Sequence, residues 1–371
     1  MPPWYFRRNE VTQGNAAWRH PEFAFRTADH AVLAGDHMAR NRNITIRDIA
    51  QRAGVGIGTV SRVLNNHPNV SMSTRQSVQE AIVELGYRRR AAAKALRTRK
   101  SMAIGLITDF IAVTPFAGNV ICGAQDVAWR RDHLLLVVNT NADSILEESA
   151  TENMLERDVE GIIYATMWHR EVTLPDNIRE VPVVLVNCFV ADRSLPSIVP
   201  DERRGGYEAT EHLLRNGHRR IGFINHNVEI PAQVLRWEGY RKALATGGLG
   251  YDDELVVLRR SEPSGGYEAM RQLLHLPQPP TAVFCFNDRM AMGAYDAIKE
   301  CGLKIPQDMA VISYDNQELL AANLHPGLTS MELPHYHMGR WAAEYLLDDL
   351  RDREVAPQIM LECPLIERQS V

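Results

Sequence analysis

Arg62 stands in a run, Thr59-Val60-Ser61-Arg62-Val63-Leu64-Asn65, suited to one kind of chemistry. A guanidinium is a planar fork of donors that matches the O6 and N7 acceptors of guanine, and hydroxyls such as Thr59 and Ser61 can bond phosphate or base. Helical spacing puts Val60 and Leu64 on one face and Ile57, Gly58, Ser61 and Arg62 on the other. The outward set lies at a helix N-terminus, the part that reaches base edges in a major groove. Catalytic chemistry finds no comparable constellation. There is no G-x-S-x-G elbow, H-E-x-x-H pair or Walker loop. Gly54-Val55-Gly56-Ile57-Gly58 follows a helix rather than a strand and lacks dinucleotide-loop spacing. His335-Tyr336-His337 has no third ligand and reads as a polar loop. No catalytic residue, cofactor or metal is expected.

A reading helix needs others to hold it against a duplex. Ile46, Ile49, Ala50 and Ala53 keep a 3-4 spacing, Gly54 breaks it where positive φ is wanted, and a second helix begins near Ile57. After the turn Asn66-His67-Pro68-Asn69, Ser73-Thr74-Arg75 opens a third helix carrying Val78, Ala81, Ile82 and Leu85 and closed by Gly86. The pattern predicts a helix-turn-helix.

Charge points the same way. The 371 residues carry a net charge of −5, but Met38 to Lys100 holds 13 Arg and Lys against Asp48, Glu80 and Glu84. A small module near +10 on an acidic body is the electrostatic footprint of a polyanion binder, since each neutralised phosphate releases counterions. No apolar run approaches the roughly 18 residues of a membrane span, so a soluble protein is expected. Five cysteines without a C-x-x-C pair predict reduced thiols in a cytoplasm. Residues 1–42 lack helical or strand periodicity and are expected to be an N-terminal extension, disordered or an over-extended gene start before Met38.

Beyond Lys100 strand-length apolar runs alternate with amphipathic helices. The runs are Ala103 to Ile107, Leu134 to Val138, Gly161 to Tyr164, Val183 to Val186, Ile221 to Ile224, Leu255 to Leu258, Ala282 to Phe286 and Ala310 to Ser313. Helical stretches include Val120 to Arg131, Gly205 to Asn216, Leu235 to Ala245, Gly266 to Leu274 and Met290 to Cys301. Such alternation predicts an α/β class with helix-covered parallel sheets in two lobes, ligands lying beyond the carboxyl ends of the strands.

Thr45-Ile46-Arg47-Asp48-Ile49-Ala50-Gln51-Arg52-Ala53-Gly54-Val55 followed by Thr59 to Asn65 closely resembles the headpiece of the lactose-repressor (LacI/GalR) family of bacterial regulators. Glu84-Leu85-Gly86-Tyr87, Gly217-His218-Arg219-Arg220-Ile221-Gly222, Phe286-Asn287-Asp288 and Ser313-Tyr314-Asp315-Asn316 resemble further landmarks. Gly56 departs from the family's capping Ser, and Arg89-Arg90 from its Pro-Asn. The resemblance implies a helix-turn-helix domain over 43–89, a hinge over 90–100 and a periplasmic-binding-protein-like core over 101–371. Lobe 1 would span 101–199 and 331–357, lobe 2 200–330 and 358–371. DNA contacts would come from Thr45, Ile57, Gly58, Thr59, Ser61, Arg62 and Asn65, then from hinge residues Arg90, Lys94, Leu96 and Arg97. Leu96 would enter the minor groove as a wedge. One and a half Ala-rich turns cannot offset helix nucleation without a partner, so the hinge would form on DNA.

The same resemblance places Phe116, Arg236, Asn287, Asp288 and Asp315 around an effector cleft. Arg, Asp and Asn can grip sugar hydroxyls, and an aromatic ring can cover a pyranose face, so a saccharide effector is expected. A purine clamp would need polar and aromatic residues where Ile230, Ala232 and Ser261 stand. Trp168, His169, His226, Gln233 and Glu262 could tune specificity. The expectation is a sequence-specific repressor, homodimeric on palindromic operator DNA and released by its ligand. The rivals are a purine-responsive regulator and a sugar-binding protein that does not touch DNA.

Overall fold

Thr45 starts the first helix by a reciprocal cap: its hydroxyl accepts from the Asp48 amide at 3.4 Å, and the Asp48 carboxylate takes the Thr45 amide at 2.7 Å. This computed structural model describes residues 44–65, 67–87, 101–114, 117–348 and 355–371. The chain divides into two units, Met1–Arg88 and Arg89–Val371.

The first unit holds α1 (Ile46–Ala53), α2 (Ile57–Leu64) and α3 (Met72–Leu85). Gly54 ends α1 at φ 66°, a left-handed conformation that a Cβ would strain. Ile49, Ala50, Val60, Val63, Val78 and Ala81 form a small buried core. Val63 rather than Leu64 faces inward from α2, with Leu64 half-buried at its border. Arg52 pairs with Glu84, tying α1 to α3.

In the second unit β1 (Ala103–Thr108), α4 (Asn119–Arg130), β2 (Leu134–Asn139), α5 (Ser144–Leu155), β3 (Ile162–Glu171), β4 (Val183–Phe189) and β5 (Ser197–Pro200) come first. Then follow α6 (Glu202–Arg215), β6 (Ile221–His226), α7 (Pro231–Thr246), β7 (Val256–Arg259), α8 (Pro263–Leu274), β8 (Ala282–Cys285), α9 (Asp288–Glu300) and β9 (Ala310–Asp315). The chain closes with α10 (Glu318–Ala321), β10 (Thr329–Glu332), α11 (His335–Leu347), β11 (Gln358–Leu361) and β12 (Leu365–Ile366).

Two six-stranded sheets result, ordered β11-β5-β4-β3-β1-β2 and β12-β10-β9-β8-β6-β7. The first pairs in parallel throughout, and in the second only the β10–β12 pair is antiparallel. The inner strands β1, β4, β8 and β9 are buried along almost their whole length, as helix-covered parallel strands require. Two lobes are therefore present, as the alternation implied.

The lobe boundaries differ from the expected ones. Residues 358–361 pair with β5 and belong to the first sheet, so the chain returns to the second lobe between Leu361 and Leu365 rather than after residue 357. Likewise β10 stays with β9 through Glu332, so lobe 1 resumes after 332 and not at 331. Four strands escape the apolar-run criterion: β5, β10 and β11 because they are short and include Ser, Thr, Gln or Pro, and β12 because it is only two residues long. Their pairing is set by partners remote in sequence.

Candidate functional site

The first candidate surface is the outer face of α2. Gly56 occupies its N-cap position and supplies no side-chain hydrogen bond. Ile57, Gly58 and Arg62 are exposed, and Thr59 and Ser61 are half-buried at their side. Asn65 is exposed and donates its amide nitrogen to the Ser61 carbonyl at 2.6 Å, which closes the helix. Thr45 is exposed, with its hydroxyl committed to Asp48. Ile57, Gly58, Thr59, Ser61 and Arg62 are thus spread along α2, with Asn65 at its C-terminal end and Thr45 at the start of α1. Arg90, Lys94, Leu96 and Arg97 lie outside the described residues, and so does Phe116.

The second candidate site lies between the two lobes, where strands of both sheets end. Arg236 is in the second turn of α7, which starts at Pro231 and not at Leu235. Its Nε and Nη2 donate to Glu202 at 2.6 and 3.1 Å, Nη1 donates to the Phe286 carbonyl at 2.5 Å, and Asp315 lies 3.9 Å away. The guanidinium also covers the Tyr314 ring, 3.7 Å from its centroid. Burial opposes the charge, but Glu202, Tyr314 and Asp315 outweigh it and raise the Arg236 pKa above its ordinary value. Glycine makes the pair possible: a Cβ on Gly206 would meet the Arg236 carbonyl at 2.4 Å, so α6 and α7 cross in contact and set Glu202 beside Arg236.

Asp315, the last residue of β9, has φ 105°, and Asn316 follows at φ 51°. Two successive non-glycine residues on the left-handed side store strain that the surroundings must hold. The Asp315 carboxylate accepts from Gln317 Nε2 at 3.0 Å. Burial pushes its pKa up, against the pull of Arg236. Asn287 caps α9 by accepting from the Met290 amide at 2.9 Å and also lines the cleft.

Asp288 is a correction. It does not reach the cleft: it is fully buried, accepts from Ser330 Oγ at 2.7 Å and the Gln317 amide at 2.5 Å, and takes a further bond from Ser313. As the first residue of α9 it turns its side chain to Ser313 and Ser330 on β9 and β10. Burial and the neighbouring Asp315 charge raise its pKa.

Lobe 1 supplies Met167, Trp168 and His169 from β3 and Asn187 from β4, which with Arg236, Asn287 and Asp315 enclose a cavity of about 30 Å³. Asn187 is buried at φ 59° and donates to the Thr166 and Met167 carbonyls, leaving Oδ1 without a protein partner among the described residues. His169 Nδ1 and Arg289 Nε also lack one, and burial lowers the His169 pKa. Sharing Asp315 and Leu333 is a wider chamber of about 800 Å³, lined by Asn316, Gln317 and Glu332 from one lobe and Thr114 and Asn119 from the other.

Among the expected tuning residues Trp168 and His169 line the tight cavity, as does Ala232, whereas Gln233 lines a separate depression beside Trp237, His226 rests against Phe286 and Glu262 precedes α8. Glu202, Asn187 and Arg289 were not anticipated. The rule that ligands lie beyond strand ends could have found Asn187, but Glu202 needed the helix crossing. His335-Tyr336-His337 begins α11 instead of forming a loop, with His335 buried. No group of three or more metal-ligating side chains occurs among the described residues.

Comparison with known proteins agrees with this geometry. Residues 45–90 match "Bacterial regulatory proteins, lacI family", and residues 210–371 match a periplasmic binding protein-like domain. The HTH-type transcriptional regulator RegA of Clostridium saccharobutylicum is 33% identical over 329 residues, 88% of this chain and 98% of that protein. The lac repressor dimer bound to operator and the anti-inducer ONPF superposes with a TM-score of 0.74 at 25% identity, covering 89% of this chain and 99% of that one. The complex of the regulator CelR with cellobiose gives 0.62 at 29%, covering 88% and 100%. A capped helix-turn-helix, two parallel lobes around a polar cleft and a relative matched over nearly its full length lead to one conclusion: the chain belongs to the lacI family of DNA-binding transcription regulators.

Proposed function

We propose that the protein is a homodimeric repressor that binds a palindromic operator through α2 and the hinge and releases it when a saccharide fills the cleft. The single observation that carries the saccharide is the buried Arg236 and Asp315 pair on one wall facing the partnerless Asn187 Oδ1 on the other. A charged donor, a carboxylate acceptor and an amide acceptor suit vicinal hydroxyls, each of which donates and accepts. Trp168 supplies an aromatic surface. Ala232 offers no hydrogen bond where a nucleobase clamp would need one. Of the candidates, Arg236, Asn287 and Asp315 are assigned to effector binding, with Phe116 kept from the family pattern.

On the DNA side Thr45, Ile57, Gly58, Thr59, Ser61, Arg62 and Asn65 would form the major-groove contact, and Arg90, Lys94, Leu96 and Arg97 the hinge contact. Two copies related by a two-fold would read two half-sites. Effector and operator affinities are then reciprocally coupled. The protein acts by binding and not by catalysis, in the cytoplasm; no helix among the described residues is long and apolar enough to cross a membrane.

Gel shift with promoter fragments at several salt concentrations, with and without members of a sugar panel, tests the whole scheme. Affinity that falls with salt and is weakened by one sugar supports it. A protein that prefers no palindromic duplex to random DNA overturns it.

A further inference from the structure

Asp288 binds more of the cleft together than its position outside it suggests. Its carboxylate joins three elements: Ser313 on β9, Ser330 on β10 and the Gln317 amide in the turn that follows Asp315. The Ser330 hydroxyl also accepts the Asn316 amide at 3.1 Å. The turn thus has two consecutive amides tethered to one buried carboxylate and its serine. The side chains are fastened as well: Asn316 donates to Glu332 at 2.7 Å and receives Arg368 Nη2 at 2.8 Å. The object of this fastening is the left-handed pair at Asp315 and Asn316, a conformation that persists only where the surroundings over-determine it. Relaxed to ordinary backbone, the turn would swing the Asp315 carboxylate away from Arg236.

We propose that Asp288 is a positioning residue, whose carboxylate holds the 315–317 turn in its left-handed form and so aims Asp315 into the effector cleft. The proposal rests on the reading of that cleft as the effector site. Asp288 itself touches no effector. Both of its oxygens are used, one by the Ser313 and Ser330 hydroxyls and the other by the Gln317 amide, so alanine in its place would remove every one of these anchors.

The test uses the full chain carrying Asp288→Ala and, separately, Ser330→Ala, a smaller change should the first variant fail to fold. Hydrogen exchange is followed on peptides covering 310–324. In either variant the Gln317 amide is expected to exchange at least tenfold faster than in the wild type, with α8 and β6 unchanged and operator binding in the absence of sugar preserved. Wild-type protection at Gln317 overturns the proposal. Cellobiose and glucose are then titrated as probes. Where the wild type responds to either, the variants should bind it at least tenfold more weakly while their unliganded melting temperatures stay close to the wild type; undiminished affinity overturns the proposal. A wild type that answers neither sugar counts against the saccharide reading alone, because the exchange measurement still decides whether Asp288 tethers the turn.

Discussion

Glu202 and Arg236 form a two-pronged ion pair with both side chains sealed from water, 2% and 3% exposed, at the foot of the cleft between the lobes. Neither partner can be removed cheaply, since a lone charge would stay in a low-dielectric site. Glu202→Ala is therefore expected to destabilise the core by about 3–5 kcal/mol in denaturant unfolding. Replacing both residues, as Glu202→Leu with Arg236→Leu, should restore much of that stability and still abolish the sugar response. A single-variant loss below about 1 kcal/mol would contradict the buried pairing.

Asp315→Asn keeps the volume and removes the charge. Effector affinity is expected to fall at least tenfold, with operator affinity in the absence of effector unchanged, as read by thermal shift against the responding sugar and by gel shift. Burial raises the carboxylate pKa, so its charge is lost at a higher pH than that of an ordinary aspartate, and effector affinity should weaken as the pH drops below neutrality. A pH-independent affinity in the wild type would remove the carboxylate from the contact.

His335 gives a stability signal of opposite sign to the raised carboxylates. Burial, aided by Arg236, lowers its pKa from 6.5 to about 4, so the folded chain keeps the imidazole neutral. The unfolded chain binds that proton first. The contribution is complete above pH 6.5 and is lost as the pH falls from there toward 4, in total about 3 kcal/mol. Asp288 and Asp315, with raised pKa values, gain stability over the same descent, so the measurement must be a difference. The stability gap between wild type and His335→Gln should narrow on going from pH 7 to pH 4.5. An unchanged gap would place His335 in water.

In the headpiece α1 and α3 start with side-chain caps, from Thr45 and Ser71, and α2 does not. Thr45→Ala removes the reciprocal bonds with Asp48 and should cost about 1 kcal/mol, seen as faster hydrogen exchange in α1. Gly56→Ser restores a side-chain acceptor at the start of α2, where an added Cβ meets nothing within 4 Å, and should slow exchange there by a few tenths of a kcal/mol.

Operator variants separate base reading from phosphate contact. Arg62→Ala should cost about 1–3 kcal/mol and relax sequence preference at one base pair. Leu96→Ala should weaken specific binding far more than non-specific binding, and equal losses in both would refute a minor-groove wedge.

Much of the architecture was legible in the chain itself because it depends on near neighbours. The Gly54 break and the Ile49, Ala50 and Val60 faces follow from 3-4 periodicity, and six of the eight apolar runs became inner strands of the two sheets, the other two forming the edge strands β2 and β7. The cation-rich stretch before Ser101 and the acidic remainder are likewise plain from composition. What stayed hidden depends on contacts between distant residues. β11 joins β5 across more than 150 positions, and Glu202 meets Arg236 only because two glycine-marked helices cross. Asn287 and Asp288 are adjacent in sequence and look equivalent, yet Asn287, in extended backbone, caps α9 and lines the cleft, while Asp288, the first helical residue, turns into the sheet. Local pattern determined the elements and their charge; which carboxylate meets a ligand and which one holds the backbone was decided by packing, where a buried charge must find its partners wherever the fold brings them.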